Sequence, residues 1–246
     1  DGKYSLTVFT KNVFGQNAEV VRAVLNGETL AEIPFSKFGN AQIIDVELKT
    51  GETVYFFGIS KGDWVSAYMN VYVNACSTIN DFNAVSATEG PWVYAITSDG
   101  KEFTPQAEYI EREWDEDPEP DACEWYMNAD DYTGIGVNAD MAGWLEANID
   151  KPFADGGRAA ALGFKAPEAG KYELTVCALN AWGQNGGDVV VTLNGEEVGK
   201  VAFIDKPFAQ TFTVELQENE IVYIYGTSNG DWVSAYLQAA ANKLPE

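Results

Sequence analysis

The chain is predicted to be all-β, two related antiparallel β-sandwich units that arose by internal duplication. Three observations carry this. Residues 2–68 align with residues 170–236 without a gap, at about half of positions identical. Each copy breaks into short alternating segments bounded by turn signals. Helix signals are weak throughout. A repeat this long means duplicated domains rather than a solenoid of small units.

In the first copy, Lys3–Thr10 sets Tyr4, Leu6 and Val8 against smaller or polar residues. Val20–Leu25 runs into Asn26-Gly27, the strongest short hairpin signal, and Glu28–Phe35 returns from it. Gln42–Leu48 reaches a Thr50-Gly51-Glu52 turn, and Thr53–Ile59 follows. Trp64–Val73 closes the set and contains Gly62–Tyr68, which recurs unchanged as Gly230–Tyr236. Alternation puts Val65, Ala67 and Met69 on a core face and Trp64, Ser66 and Tyr68 outward. Six short strands with turns every few residues read as a sandwich of jelly-roll or lectin-like type.

The expected boundaries are 1–76 and 77–246. A lead-in over residues 85–168 has no counterpart before Gly2. Its Pro91–Tyr94, Trp125-Tyr126, Ile135–Val137 and Ala159–Phe164 read as front strands of the second unit, with Trp114 between them. The first unit then either lacks such strands or borrows them. Residues 111–124 read as an acidic, Pro-broken loop, solvated or, on clustered oxygens, a calcium loop of Asp115, Asp117 and Asp121. No EF-hand spacing is present.

With 15 basic and 38 acidic residues the net charge is −23. That disfavours nucleic acid and anionic membrane surfaces and suits a neutral partner such as a polysaccharide. No apolar run is long enough to span a bilayer. No signal peptide is visible, and Asp1 reads as the start of a trimmed or matured chain. Zero histidines removes the commonest general base and zinc ligand. Cys76, Cys123 and Cys177 lack metal-ligand spacing. Cys177 reads as a small core filler, and Cys76 could pair with Cys123 in an oxidising compartment.

Strand reversal sends alternate loops to one end. Lys11–Glu19, Phe35–Ala41 and Ser60–Asp63 share it, so Asn-x-[Phe/Trp]-Gly-Gln-Asn (Asn12–Asn17, Asn180–Asn185) meets Gly-Asp-Trp there. Such a rim suits a sugar: indoles cover the apolar C–H face, and amides and carboxylates satisfy the hydroxyls. Phe14, Trp64, Trp182 and Trp232 are the candidate platforms. Gln16, Asn17, Asp63, Gln184, Asn185 and Asp231 are the candidate hydrogen-bonding groups, with Tyr68 and Tyr236 extending the surface. The competing reading packs the tryptophans under loops and makes the outer aromatics, with Tyr55, Phe57, Tyr223 and Tyr225, a second core layer beneath the front strands.

The run from Pro91–Tyr94 through Phe103-Thr104-Pro105, Ile135-Gly136, Ala160, Leu162-Gly163-Phe164, Ala166-Pro167 and Gly170-Lys171-Tyr172 to Asn229-Gly230-Asp231 resembles β-sandwich carbohydrate-binding modules. These belong to secreted and cell-surface glycan-binding proteins of gut bacteria. It is also similar to starch-adherence proteins that feed amylosome assemblies. The resemblance implies non-catalytic binding of starch-like α-glucan by an extracellular protein in a larger surface assembly; no cofactor is expected, the acidic loop being the one place where the sequence offers a structural calcium ion ligands. The alternative is a structural or adhesive sandwich whose outer aromatics bind a protein. A carboxylate-pair hydrolase has no spacing in its favour.

Overall fold

In a computed structural model the turn chemistry takes the backbone that its residues require. Asn26 and Gly27 have φ of 52° and 85°, and Asn194 and Gly195 have 53° and 78°, the left-handed pairs of a tight hairpin. The structure describes residues 1–14, 18–35, 40–62, 66–73, 76–78, 81–112, 122–128, 132–138, 144–180, 185–205 and 207–245. The chain divides into two compact units, residues 1–75 and residues 76–139 with 144–246.

In the first unit the strands are β1 (Gly2–Phe14), β2 (Ala18–Leu25), β3 (Glu28–Pro34), β4 (Asn40–Leu48), β5 (Val54–Ser60) and β6 (Ser66–Val73). They form two antiparallel sheets, ordered β4-β1-β6 and β3-β2-β5. Leu6, Val8, Ile44 and Val46 of one sheet meet Val21, Ala23 and Ile33 of the other. Burying each larger side chain contributes about 1.5–3 kcal/mol before the entropy of ordering is counted. Val71 of β6 packs on this core, whereas Met69, expected on the core face, is exposed.

The second unit repeats this six-strand plan as β15 (Gly170–Asn180), β16 (Gly186–Leu193), β17 (Glu196–Ala202), β18 (Phe208–Leu216), β19 (Ile221–Ser228) and β20 (Val233–Lys243). Before the lead-in comes β7 (Cys76–Ser77), and the lead-in adds β8 (Trp92–Thr97), β9 (Thr104–Pro105), β10 (Glu108–Arg112), β11 (Ala122–Tyr126), β12 (Ile135–Asn138), β13 (Leu145–Ile149) and β14 (Ala159–Lys165). Strand β13 pairs with β20, and β14 pairs with β19 on one side and β8 on the other. The lead-in therefore supplies strands to both repeated sheets. Its large apolar residues Trp92, Trp125, Ile135, Leu162 and Phe164 join one core with Val233, Ala235 and Leu237.

Two sequence expectations change here. The two ends of the acidic stretch are strand: Glu111 pairs with Cys123 across β10 and β11, and Glu124 is buried. Asp115, Asp117, Asp121 and Trp114 lie outside the described residues. Cys76 has a free thiol, with Sγ 3.4 Å from Asp81 Oδ2, rather than a disulfide. Burial, then the Asp81 charge, pushes that thiol well above the ordinary cysteine range. Cys177 is fully buried in β15.

Candidate functional site

The two ends of the repeated sandwich use their polar groups differently. At the tight-turn end a carboxylate ties two turns together. Glu220 accepts hydrogen bonds from Asn194 Nδ2 at 2.7 Å and the Gln217 backbone N–H at 2.8 Å. Glu52 does the same with Asn26 Nδ2 and the Lys49 N–H, both at 2.8 Å. Those backbone donors first, and the amides second, hold both carboxyls below the usual glutamate range. This end is scaffold.

The opposite end gathers the loops that carry the repeated motifs. In the second unit the Asn229 N–H donates to the Asn185 carbonyl at 2.6 Å, and Asn229 Nδ2 donates to the Gly186 carbonyl at 3.2 Å. Gly230 lies so near Asn185 that an added Cβ would meet its Cγ at 2.9 Å. The Asn180 N–H donates to the Ile204 carbonyl, bringing the loop after β17 to the same end. Ser228 fixes the turn: its Oγ accepts from the Gly230 N–H at 3.1 Å and donates to the Asp231 carbonyl at 2.7 Å. The result presents Asp231 and Trp232 to solvent, Trp232 being 46% exposed.

The Asn185 loop is thus hydrogen-bonded to the turn that carries Asp231 and Trp232. Trp182 and Gln184 lie outside the described residues, as do Gln16, Asn17, Asp63 and Trp64. Phe14 ends β1 and pairs through its backbone with Ser66; its side chain lies outside the described set.

Tyr236 is a correction. Its strand alternates as expected, with Val233, Ala235 and Leu237 inward. The opposite face of β20 is nevertheless covered, and Tyr236 is 0% exposed. Its hydroxyl donates to Glu146 Oε2 at 3.1 Å, while Ser234 Oγ lies 2.5 Å from Glu146 Oε1 and 2.8 Å from Asn148 Oδ1. Glu124, also buried, accepts from the Tyr126 hydroxyl and from Asn148 Nδ2. These carboxylates are sequestered among hydroxyl and amide donors, and Tyr236 offers no ring to a ligand. Tyr68 is half-buried, its ring edge-on to Phe9 with centroids 6.3 Å apart.

Sequence reasoning missed Asn229 and Ser228. The signal for the serine was present, because Ser60 aligns with Ser228 and likewise accepts from the Gly62 N–H, at 3.3 Å. Asn229 has no such signal. Its counterpart is Lys61, which makes a 2.9 Å ion pair with Glu19, so the two rims carry different polar groups. Cation sites are also absent in one respect: among the described residues no cluster of three acidic, Cys or His side chains could hold a metal ion.

No family model matches the chain, and no curated protein matches it. Among solved structures it is similar to the C-terminal CBM6 of LamC, a laminarinase from Zobellia galactanivorans, at 15% identity, 37% of this chain, 77% of that one and TM-score 0.24. It is similar to the N-terminal cellulose-binding domain of a Cellulomonas fimi β-1,4-glucanase at 15% identity, 47% and 86% coverage and TM-score 0.31. A family 35 carbohydrate-binding module from Clostridium thermocellum gives 19% identity, 48% and 87% coverage and TM-score 0.26. At these TM-scores the likenesses carry no argument about what the chain binds.

Proposed function

We propose that this protein is a non-catalytic, extracellular glycan-binding protein that engages a neutral polysaccharide through the loop-rich rim of each unit, with starch-like α-glucan as the favoured ligand. The observation that carries the reading is the solvent-facing indole of Trp232, set beside Asp231 on a turn that is hydrogen-bonded to the Asn185 loop. An indole there can cover the C–H face of a sugar ring, while the flanking carboxylate and amides meet its hydroxyls. Trp182 and Gln184 belong to the same loop in sequence; Phe14, Gln16, Asn17, Asp63 and Trp64 are the equivalent set in the first unit. Two weak sites on one chain gain avidity on a polymer through effective concentration.

Affinity electrophoresis through starch, pullulan, xylan, mannan and β-glucan tests the ligand class, with retention expected in the first two. Trp232→Ala should lower affinity about ten-fold, the size of one lost ring stack. Adding Trp64→Ala should bring retention close to zero. A folded double variant that binds starch undiminished would remove the site assignment, and release of reducing sugar would remove the non-catalytic reading.

A further inference from the structure

In the second unit the strands beside Trp232 bring another exposed aromatic to the same end. Strand β20 pairs with β13 through Ser234 opposite Asn148 and Val233 opposite Ile149, and β13 pairs with β12 through Ala147 opposite Ile135. The contact runs on past the start of β12, because the Asn148 N–H donates to the Gly134 carbonyl at 2.9 Å. Gly134, Asn148 and Ser234 therefore form one row. Two residues further toward the loop-rich end, the same register sets Tyr132, Asp150 and Trp232 abreast. Side chains two apart share a face, so Trp232 belongs to the face of Ser234 and Tyr236. A Cβ added to Gly134 would meet the Tyr126 ring, whose hydroxyl donates to Glu124 among the polar groups of that face. Tyr132, two residues before Gly134, belongs to the face as well.

Exposure changes along this face. Asn148, Ser234 and Tyr236 are buried, whereas in the outer row Tyr132 is 70% and Trp232 46% exposed. Adjacent strands lie about 4.8 Å apart, so two spacings separate the aromatic positions by about 10 Å. Between them Asp150 and Arg158, both part-exposed, form an ion pair with Arg158 Nε 3.6 Å from Asp150 Oδ2. The backbone holds this pair in place. Asp150 Oδ1 accepts from the Arg158 N–H at 2.5 Å, and the Asp150 N–H donates to the Arg158 carbonyl at 3.0 Å. The loop that joins them is anchored too, since Phe153 packs on the core with its ring centroid 5.8 Å from that of Tyr225. Donors and acceptors are thus set before a ligand arrives, which limits the entropy lost on binding.

We propose that this row extends the Trp232 rim into a surface for a chain of several neutral sugars, with Tyr132 as its second platform. The inference rests on the glycan-binding reading of Trp232 and narrows its ligand from a sugar to an oligosaccharide. One pyranose stacked on Trp232 does not reach Tyr132; a chain laid across β20, β13 and β12 does. Its outer rings cover their C–H faces on the two aromatics. The hydroxyls between them meet a carboxylate that accepts and a guanidinium that donates. Tyr132, Asp150 and Arg158 lie outside the repeat, so the repeated motifs do not reveal them.

Calorimetric titration of the full chain with maltose and with maltohexaose tests this, in a Trp64→Ala background so that the second rim is the one read. Maltohexaose should bind about ten-fold or more tighter than maltose, the size of one added ring stack. Tyr132→Ala should remove that gain and leave maltose affinity unchanged. Tyr132→Phe should keep the gain, because the ring and not the hydroxyl supplies it, and Trp232→Ala should weaken both sugars. Maltohexaose affinity untouched by Tyr132→Ala, while Trp232→Ala still lowers it, would overturn the extension and leave the rim reading standing. An equal loss on both sugars with Tyr132→Ala would overturn it in the same way. Binding of neither sugar before any change at Tyr132 or Trp232 would remove the α-glucan reading of the rim, and the extension with it.

Discussion

Glu220 shows how a single exposed side chain can be read for both structure and pH response. Its carboxylate accepts from the Gln217 N–H and from Asn194, and its pKa lies below the ordinary value of 4.5. A folded-state pKa below the unfolded one contributes stability above the unfolded value, and that stability is lost as pH falls through the folded pKa. Glu220→Gln should therefore lower the melting midpoint at pH 7 by roughly one to two degrees, a small effect because the group is solvent-screened. Its melting curve should converge with that of the parent as the pH drops below about 4. A gap that stays constant from pH 7 to about pH 3 would mean that the charge is irrelevant to the clamp. Tyr236 makes the complementary point about legibility. Its place on a strand was readable from alternation, but alternation assigns a face and not what covers that face. The cover brings Glu146 to the Ser234 and Tyr236 hydroxyls from a strand more than eighty positions earlier in the chain, and no local pattern encodes that.

At the scale of elements, the six repeated strands were legible because turn chemistry and period-2 patterning agree: Asn26-Gly27 and Asn194-Gly195 mark the hairpins, and Tyr4, Leu6 and Val8 mark the inward face. The lead-in strands were legible as hydrophobic runs, yet their destinations were not. Nothing in Ala159–Lys165 says that it pairs with β19 rather than with β20, because its own apolar run fits either neighbour and the match of Gly163 to Tyr223 and Ala161 to Tyr225 shows only once the strands are paired. The acidic stretch misled for a related reason. Its composition reads as solvated loop, but Glu111 and Glu124 sit on paired strands. Gly163 gives the element-scale prediction. A valine there would drive Cβ into Ile221 Cγ2 and the Tyr223 ring, both within 2.8 Å, and Tyr223 is held by its stack on Phe103. Gly163→Val should destabilise the second unit by about 1–3 kcal/mol, the usual cost of overpacking, measured by denaturant titration. Pairing it with Tyr223→Ala should recover part of the loss; no recovery would show that Tyr223 is not what limits the space.

For the whole molecule, the net charge tests the class of ligand proposed for the rim. A net charge of −23 creates a field that acts on any charged ligand and fades as salt shortens its reach from about 10 Å at 0.1 M to about 3 Å at 1 M. A neutral glucan held by an indole and hydrogen bonds does not feel this field, so starch retention should change less than about two-fold between about 0.05 and 0.5 M salt. An anionic polysaccharide would be repelled at low salt and retained better at high salt. The sign of the salt response therefore identifies the ligand's charge without any knowledge of its linkage. Retention that rises steeply with salt would replace the neutral glucan with an acidic glycan, and retention that falls steeply would point to a basic partner at the rim itself.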